Sequence, residues 1–343
     1  MNENFPLVTV IITTYQNVEY LPRAIKSVLG QTYSPIELIV VDDNSPESQA
    51  RTDTEEVMRR YPDVIYLRHE RNKNGAAARN TGIRAAKGEY IGFLDNDDFY
   101  FAHHISSCVQ ALEQNPEDAC VLTGVVKIRG GLCWEINRPP EGLAMDTALL
   151  RSERALGTGS NLFLRTEVVR EHKGFDEKFL RHQDVEFALR IFSKNSVSRI
   201  QEVQIVKEMD GFSNVPNFER FRSTKQQFLN KFEQLIASLP EEEKRRFYAA
   251  SYGALLYTAC QEGDSTHINW VMTQLRQRHA LTKRNLFLFF ISSVGIFSFY
   301  EKCKGQIKKR RSQRLYSDVL KELTEEDRRL LGEALGVEEE SRG

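Results

Sequence analysis

The strongest constraint on the fold is a repeated change of hydrophobic period within the first 125 residues. Apolar, mostly β-branched runs at residues 8–12, 36–41, 64–67, 90–94 and 119–123 alternate with stretches of helical spacing, such as Leu21, Ala24, Ile25, Val28 and Leu29. Short runs that are apolar throughout read as strands buried on both faces, and strands joined by helices cross over to lie parallel. Helices are expected over residues 54–60, 76–86 and 105–114. The expected fold is therefore α/β, a Rossmann-like, mainly parallel sheet flanked by helices. Ligands of such sheets bind beyond the carboxyl ends of the strands, so the residues that follow each run are the first candidates for function.

From residue 132 to 210 the pattern loosens. Arg138-Pro139-Pro140 breaks it, residues 161–164 read as a strand, and residues 183–192 read as a helix. Beyond Phe218 the chain becomes helical. Phe218, Phe221, Phe228, Phe232 and Leu235 share one stripe, Pro240 marks a helix start, and Ile268, Val271, Met272 and Leu275 follow an Asp264 cap. The expected division is an α/β domain over residues 1–212 and a helical region over 213–343.

Composition excludes several classes. Forty-seven basic against 48 acidic side chains, a net charge of −1, lacks the basic excess of a nucleic-acid binder, so no nucleic-acid partner is expected. Five cysteines without a C-x-x-C pair read as reduced thiols, not a disulfide framework or a zinc site. The N-terminal residues have no signal-peptide pattern. No apolar run reaches the ~20 residues that span a bilayer. A cytoplasmic location is expected.

Three strand ends are polar: Thr13-Thr14-Tyr15, Asp42-Asp43-Asn44-Ser45 and Asp95-Asn96-Asp97-Asp98. In a parallel sheet they share one rim, where crowded carboxylates repel unless a cation or hydrogen-bond donors compensate. Asp42-Asp43 also suits a plain turn or cap. Three acids in four positions after an apolar strand suit a hard divalent ion, which takes few protein carboxylates and fills its shell with water and phosphate.

Four blocks carry a resemblance: VTVIITTY, AIKSVLGQTYSPIELIVVDDNS, NGAAARNTGIRAAKGEYIGFLDNDD and GFDEKFLRHQDVEFALR. In this order and spacing they resemble the inverting glycosyltransferases of the GT-A fold, family 2, over about residues 7–210. The resemblance implies a transferase that moves a sugar, hexosyl or N-acetylhexosaminyl, from a nucleotide-sugar, expected to be UDP-linked, to a hydroxyl with inversion. The acceptor implied is a glycan or lipid-linked glycan of cell-surface polysaccharide assembly.

On that resemblance Thr13 and Tyr15 contact the nucleoside, and Asp43 accepts a hydrogen bond from the base N–H, a role that suits an acceptor-only carboxylate. Asp42 braces the turn. Asp95 and Asp97 match the DxD motif, which meets the ribose and, through Mg²⁺ or Mn²⁺, the diphosphate; Asp97 is the first choice for direct ligand. Asn74 lies in a matching block with Arg79, which either contacts the ligand or pairs with the rim acids. The general base matches Asp184, in His182-Gln183-Asp184-Val185-Glu186, although Gln183 stands where the family has Glu. Glu186 and His182 are secondary candidates, and Arg190, six residues after Asp184, matches the Arg that follows the base in the family.

Residues 286–300 (LFLFFISSVGIFSFY) precede Lys302, Lys304, Lys308, Lys309, Arg310, Arg311 and Arg314. The segment 286–314 reads either as a helix packed in the core or as an interfacial element that attracts anionic lipid, which would place the protein peripherally at the inner face of the membrane. Two other functions compete. A sugar nucleotidyltransferase needs a Gly-rich, basic loop after the first strand, and TTYQN contains no Gly, Lys or Arg. A non-catalytic nucleotide-sugar or glycan-binding protein has no need of both Asp97 and Asp184.

Overall fold

The computed structural model describes residues 5–210 and 217–337. The expected division at 212/213 falls outside the described residues. The chain forms two compact units. Of the described residues, the first holds 5–146, 154–210 and 312–337; the second holds 147–153 and 217–311.

Among its described residues the first unit has nine strands: β1 (Val8–Thr14), β2 (Ile36–Asp42), β3 (Ile65–Arg68), β4 (Tyr90–Asp95), β5 (Phe99–Tyr100), β6 (Asp118–Arg129), β7 (Leu132–Asn137), β8 (Phe163–Arg165) and β9 (Ser196–Glu208). Their order is β3-β2-β1-β4-β8-β6-β9-β5, with β7 paired to β6. The first four strands of that order are parallel, as the alternation requires. Strand β8 then enters antiparallel between β4 and β6, and β9 returns parallel to β6.

The helices up to residue 192 are α1 (Leu21–Leu29), α2 (Gln49–Met58), α3 (Gly75–Ala85), α4 (His104–Gln114), α5 (Met145–Arg151), α6 (Thr166–Glu171) and α7 (Gln183–Phe192), of which α3 and α7 carry site residues. Helix α3 lies close on β1 because its inner face is small: Ala76, Ala77, Ala78 and Gly82 are buried. A Cβ on Gly82 would stand 2.4 Å from Ile11 Cγ2, so only glycine allows this approach. The sheet core joins Val8, Val10 and Ile12 of β1 to Leu21, Ile25 and Val28 of α1 and to Leu94, Ile105 and Leu112. A second core packs Phe99, Val126 and Val206 against Val319, Leu323, Leu331 and Leu335 from the end of the chain.

The second unit is helical around Phe218, Leu255, Leu256, Val271, Met272, Leu275, Leu288 and Ile291. Asp264 caps the helix Ser265–Gln277, accepting from the backbone N–H groups of Thr266 and His267. Among the described residues no helix is long and apolar enough to cross a membrane.

Candidate active site

The ends of β1, β2 and β4 form one rim, because Thr13 pairs in register with Val41 on one side and Asp95 on the other. Beyond β1 the chain turns through Gln16 and Asn17, both left-handed at φ 58° and 45°. Two asparagines hold that turn. Asn44 Oδ1 accepts from Gln16 N–H at 2.8 Å, and Asn96 Nδ2 donates to Gln16 O at 3.0 Å. Tyr15 is left half exposed at the rim.

The paired acids after β2 are structural anchors. Asp42 is buried, bonded to Tyr66 Oη at 2.6 Å and Asn44 N–H at 2.8 Å, with Arg51 Nε at 2.9 Å. Asp43 was expected to receive a base N–H. Its Oδ1 instead accepts from His69 Nδ1 at 2.7 Å and Lys73 N–H at 2.8 Å, and its Oδ2 from Asn72 Nδ2 and Asn74 N–H, both at 2.9 Å. These bonds use the acceptor capacity of a carboxylate, so Asp43 fixes the loop that leads into α3. Asn74 is that helix's N-cap: its Oδ1 accepts from Ala77 N–H at 3.1 Å while its φ is 118°, strain that the surrounding bonds hold in place.

The acids after β4 crowd together. One carboxylate oxygen from each of Asp95, Asp97 and Asp98 lies within 4.8 Å of the others. Asp95 is tied to Arg79 Nη2 at 2.5 Å. Burial would raise its pKa, but the Arg79 and Lys207 charges outweigh that and hold the Asp95 carboxyl below its ordinary range. Asp98 is fully buried and accepts from Ser160 Oγ at 2.6 Å and Thr158 Oγ1 at 3.0 Å. Asp97 carries the unrelieved charge: burial first, then repulsion from Asp98 and Asp95, push it up to about 7. The donor set is all oxygen and acidic, which fits a hard divalent cation. Asp97 is the member least committed to protein partners.

Asp184 sits in the first turn of α7. The backbone of Gly159 lies against it, since a Cβ on that glycine would stand 3.2 Å from Asp184 Cβ. The next residue, Ser160, joins the acid cluster through Asp98 and accepts from Asp95 N–H at 3.0 Å. Gln183 also reaches across, its Oε1 accepting from Arg79 Nη1 at 3.2 Å. Asp184 and the Asp95–Asp98 cluster thus flank one turn, with Arg79 pairing to the rim as one of its two expected roles required. Glu186 and Arg190 do not join this site. Arg190 binds Glu186 at 2.5 Å and donates to His172 O and Gly174 O, bracing the turn before α7.

One site residue was missed. Lys207, near the end of β9, donates to Thr158 Oγ1 at 3.1 Å and stands 3.9 Å from Asp98 Oδ2. Burial would lower its pKa, but Asp98, Asp95, Asp97 and Asp184 together raise it. The available signal was the alternation of Val203, Ile205 and Lys207 on one side of a strand with Gln204 and Val206 on the other.

Residues 9–173 match the family model described as glycosyl transferase family 2. An uncharacterized glycosyltransferase of Rickettsia bellii is 29% identical over 261 residues, covering 74% of this chain and 37% of the relative. One of Methanocaldococcus jannaschii is 26% identical over 221 residues, covering 64% of this chain and 74% of the relative. The chain thus spans little more than a third of the length of the Rickettsia relative. Among solved structures, S. aureus TarS 1-349 in complex with UDP-GlcNAc has a TM-score of 0.51 at 14% identity, covering 80% of this chain and 89% of that one. The mannosyltransferase PcManGT from Pyrobaculum calidifontis, in complex with GDP-Man and Mn²⁺, has a TM-score of 0.50 at 19% identity, covering 84% of each chain. At these identities the likeness is one of fold, and that fold is GT-A.

Proposed function

We propose that the first unit transfers a sugar from a nucleotide donor, UDP-linked, to a hydroxyl of a glycan or lipid-linked acceptor, with inversion at the anomeric carbon. The observation that carries this reading is the convergence of Asp184 and the Asp95–Asp98 cluster on the Gly159–Ser160 turn. Asp184 takes the proton of the acceptor hydroxyl as its oxygen attacks the anomeric carbon. The bond from that carbon to the diphosphate oxygen breaks in the same displacement, and the nucleoside diphosphate leaves. One base suffices because no covalent intermediate forms. Asp97, with Asp95, would hold Mg²⁺ or Mn²⁺, which when bound stabilises charge on the departing diphosphate as a Lewis acid. Thr13 and Tyr15 line the nucleoside, and Asp43 and Asn74 serve it indirectly by fixing the loop into α3. TarS and PcManGT, the fold neighbours, are complexed with UDP-GlcNAc and with GDP-Man and Mn²⁺, which supports a nucleotide-sugar in the crevice.

The second unit supports a peripheral membrane role at the inner face, beside a lipid-linked acceptor. Leu286, Phe287, Phe290, Val294, Ile296 and Phe299 are exposed, and Lys302, Lys309, Arg310 and Arg311 follow exposed on the next helix. Apolar side chains next to basic ones suit an anionic lipid surface. All five cysteines are free, which fits a reducing compartment.

The test is nucleotide release from a panel of UDP-, GDP- and dTDP-sugars, with and without chelator, for the wild type and Asp184→Asn. The expected result is turnover with UDP-sugars, abolished by chelator and reduced about 10²- to 10⁴-fold in Asp184→Asn, with donor binding retained. Full activity in that variant would overturn the role of Asp184, and release that ignores the chelator would overturn the metal.

A further inference from the structure

Strands β6 and β9 run parallel with Lys127 in register with Lys207, which places two ammonium-bearing side chains next to each other on one face of the sheet. Like charges at directly opposed positions are unfavourable. Asp98, which already accepts from Ser160, Thr158 and the Glu208 N–H at 3.2 Å, stands 3.9 Å from Lys207 and attracts both lysines without taking a close hydrogen bond from Lys207. Lys207 is anchored through Thr158 at the edge of the acid cluster, and its side chain keeps 30% of its exposure. Lys127 is partly buried, and burial, with Lys207 and Arg154 nearby, lowers its pKa against the pull of Glu135. Two ammonium-bearing side chains thus stand at the edge of the acid cluster.

We propose that Lys207, with Lys127 beside it, binds the diphosphate of the nucleotide donor as a fixed cationic contact, alongside the divalent ion. The inference rests on the donor reading above and adds these two residues to it. An ammonium offers three protons as a compact charge, of which Thr158 takes one, and a phosphate oxygen suits the remainder. A diphosphate bound there is held on both sides, by the lysines and by a cation on Asp97.

The experiment is calorimetric titration of UDP, uridine and inorganic pyrophosphate, in chelator, into the wild type, Lys207→Met, Lys207→Arg and Lys127→Met. UDP affinity should fall about tenfold or more in Lys207→Met and about threefold in Lys127→Met, while Lys207→Arg keeps most of it. Uridine affinity should not change, a result that a purely structural role would not give. Equal losses for UDP and uridine, or unchanged UDP affinity, would overturn the proposal. If Lys207→Met does not fold, Lys127→Met decides, and unchanged UDP affinity there overturns it. Pyrophosphate separates the two ways of failing. Wild type that binds pyrophosphate but no UDP sinks the UDP-donor reading while the lysine pair stands; pyrophosphate binding unaltered by both methionine substitutions sinks the pair.

Discussion

Asp43→Asn separates the two roles open to this carboxylate, because bracing and base recognition predict opposite results. Asp43 accepts from His69 Nδ1, Lys73 N–H, Asn72 Nδ2 and Asn74 N–H, two donors on each oxygen. An amide of the same shape keeps one oxygen, so two of these donors lose their acceptor and face an N–H instead. A buried donor left unsatisfied costs about 1–3 kcal/mol, and because Lys73 and Asn72 are exposed, one donor of whichever pair is lost can turn to water, so the substitution should destabilise the protein by roughly 1–3 kcal/mol. That is a sizeable part of the roughly 5–15 kcal/mol typical of a folded domain. Urea unfolding followed by circular dichroism measures it. UDP and uridine titrations, at a temperature where the variant is folded, measure the other role. A stability loss under about 1 kcal/mol, together with lost uridine binding, would refute the bracing argument and restore the direct base contact.

Three further outcomes are expected. Gly159→Ala puts a methyl 3.2 Å from Asp184 Cβ, so turnover should fall about tenfold with little change in melting temperature; unchanged turnover would detach this turn from the chemistry. Asp97, raised by burial and by Asp98 and Asp95 to about 7, must lose a proton to bind a cation. Mn²⁺ affinity by electron paramagnetic resonance should therefore drop as pH falls below 7, by up to about tenfold per unit. The same shift has a stability sign: the contribution is full below the unfolded carboxylate pKa and lost as pH rises through 7. A flat Mn²⁺ profile from pH 6 to 8 would contradict it. Phe290→Glu with Phe299→Glu should abolish flotation with vesicles containing anionic lipid, and unchanged flotation would rule out this face.

The parts of the fold legible in the sequence are those whose period is clean. Strand β2 is apolar from Leu38 to Val41 and α7 presents Val185, Phe187, Ala188, Leu189 and Ile191 as a buried face, so both were found within a residue or so of their ends. Strand β9 was not found, because Arg199, Gln201, Glu202 and Gln204 interrupt its apolar side chains and only from Val203 onward is it buried as a strand core would be. Strand β5 has two residues, too few for any period. The acid cluster was legible because charge density beyond a strand is a local signal. Lys207 and the Arg79–Gln183 bond were not, since each depends on which distant elements the crossovers bring together. Asp43 shows the converse: its residue type fitted the expected role, and only the loop at 69–74 reveals what it is bonded to.

The first unit closes with residues that are made after the whole of the second. Asp327 Oδ1 accepts from Ala102 N–H at 2.9 Å, Glu322 binds Arg138, and Leu331 and Leu335 cover Phe99 and Val206. During synthesis the ribosome releases all of 214–311 before these partners emerge. Until then the apolar side of β5 and β9, next to the acid cluster, stays open to water or to a chaperone. Proteolysis of arrested nascent chains should show this sheet edge becoming protected only after Leu335 has left the exit tunnel.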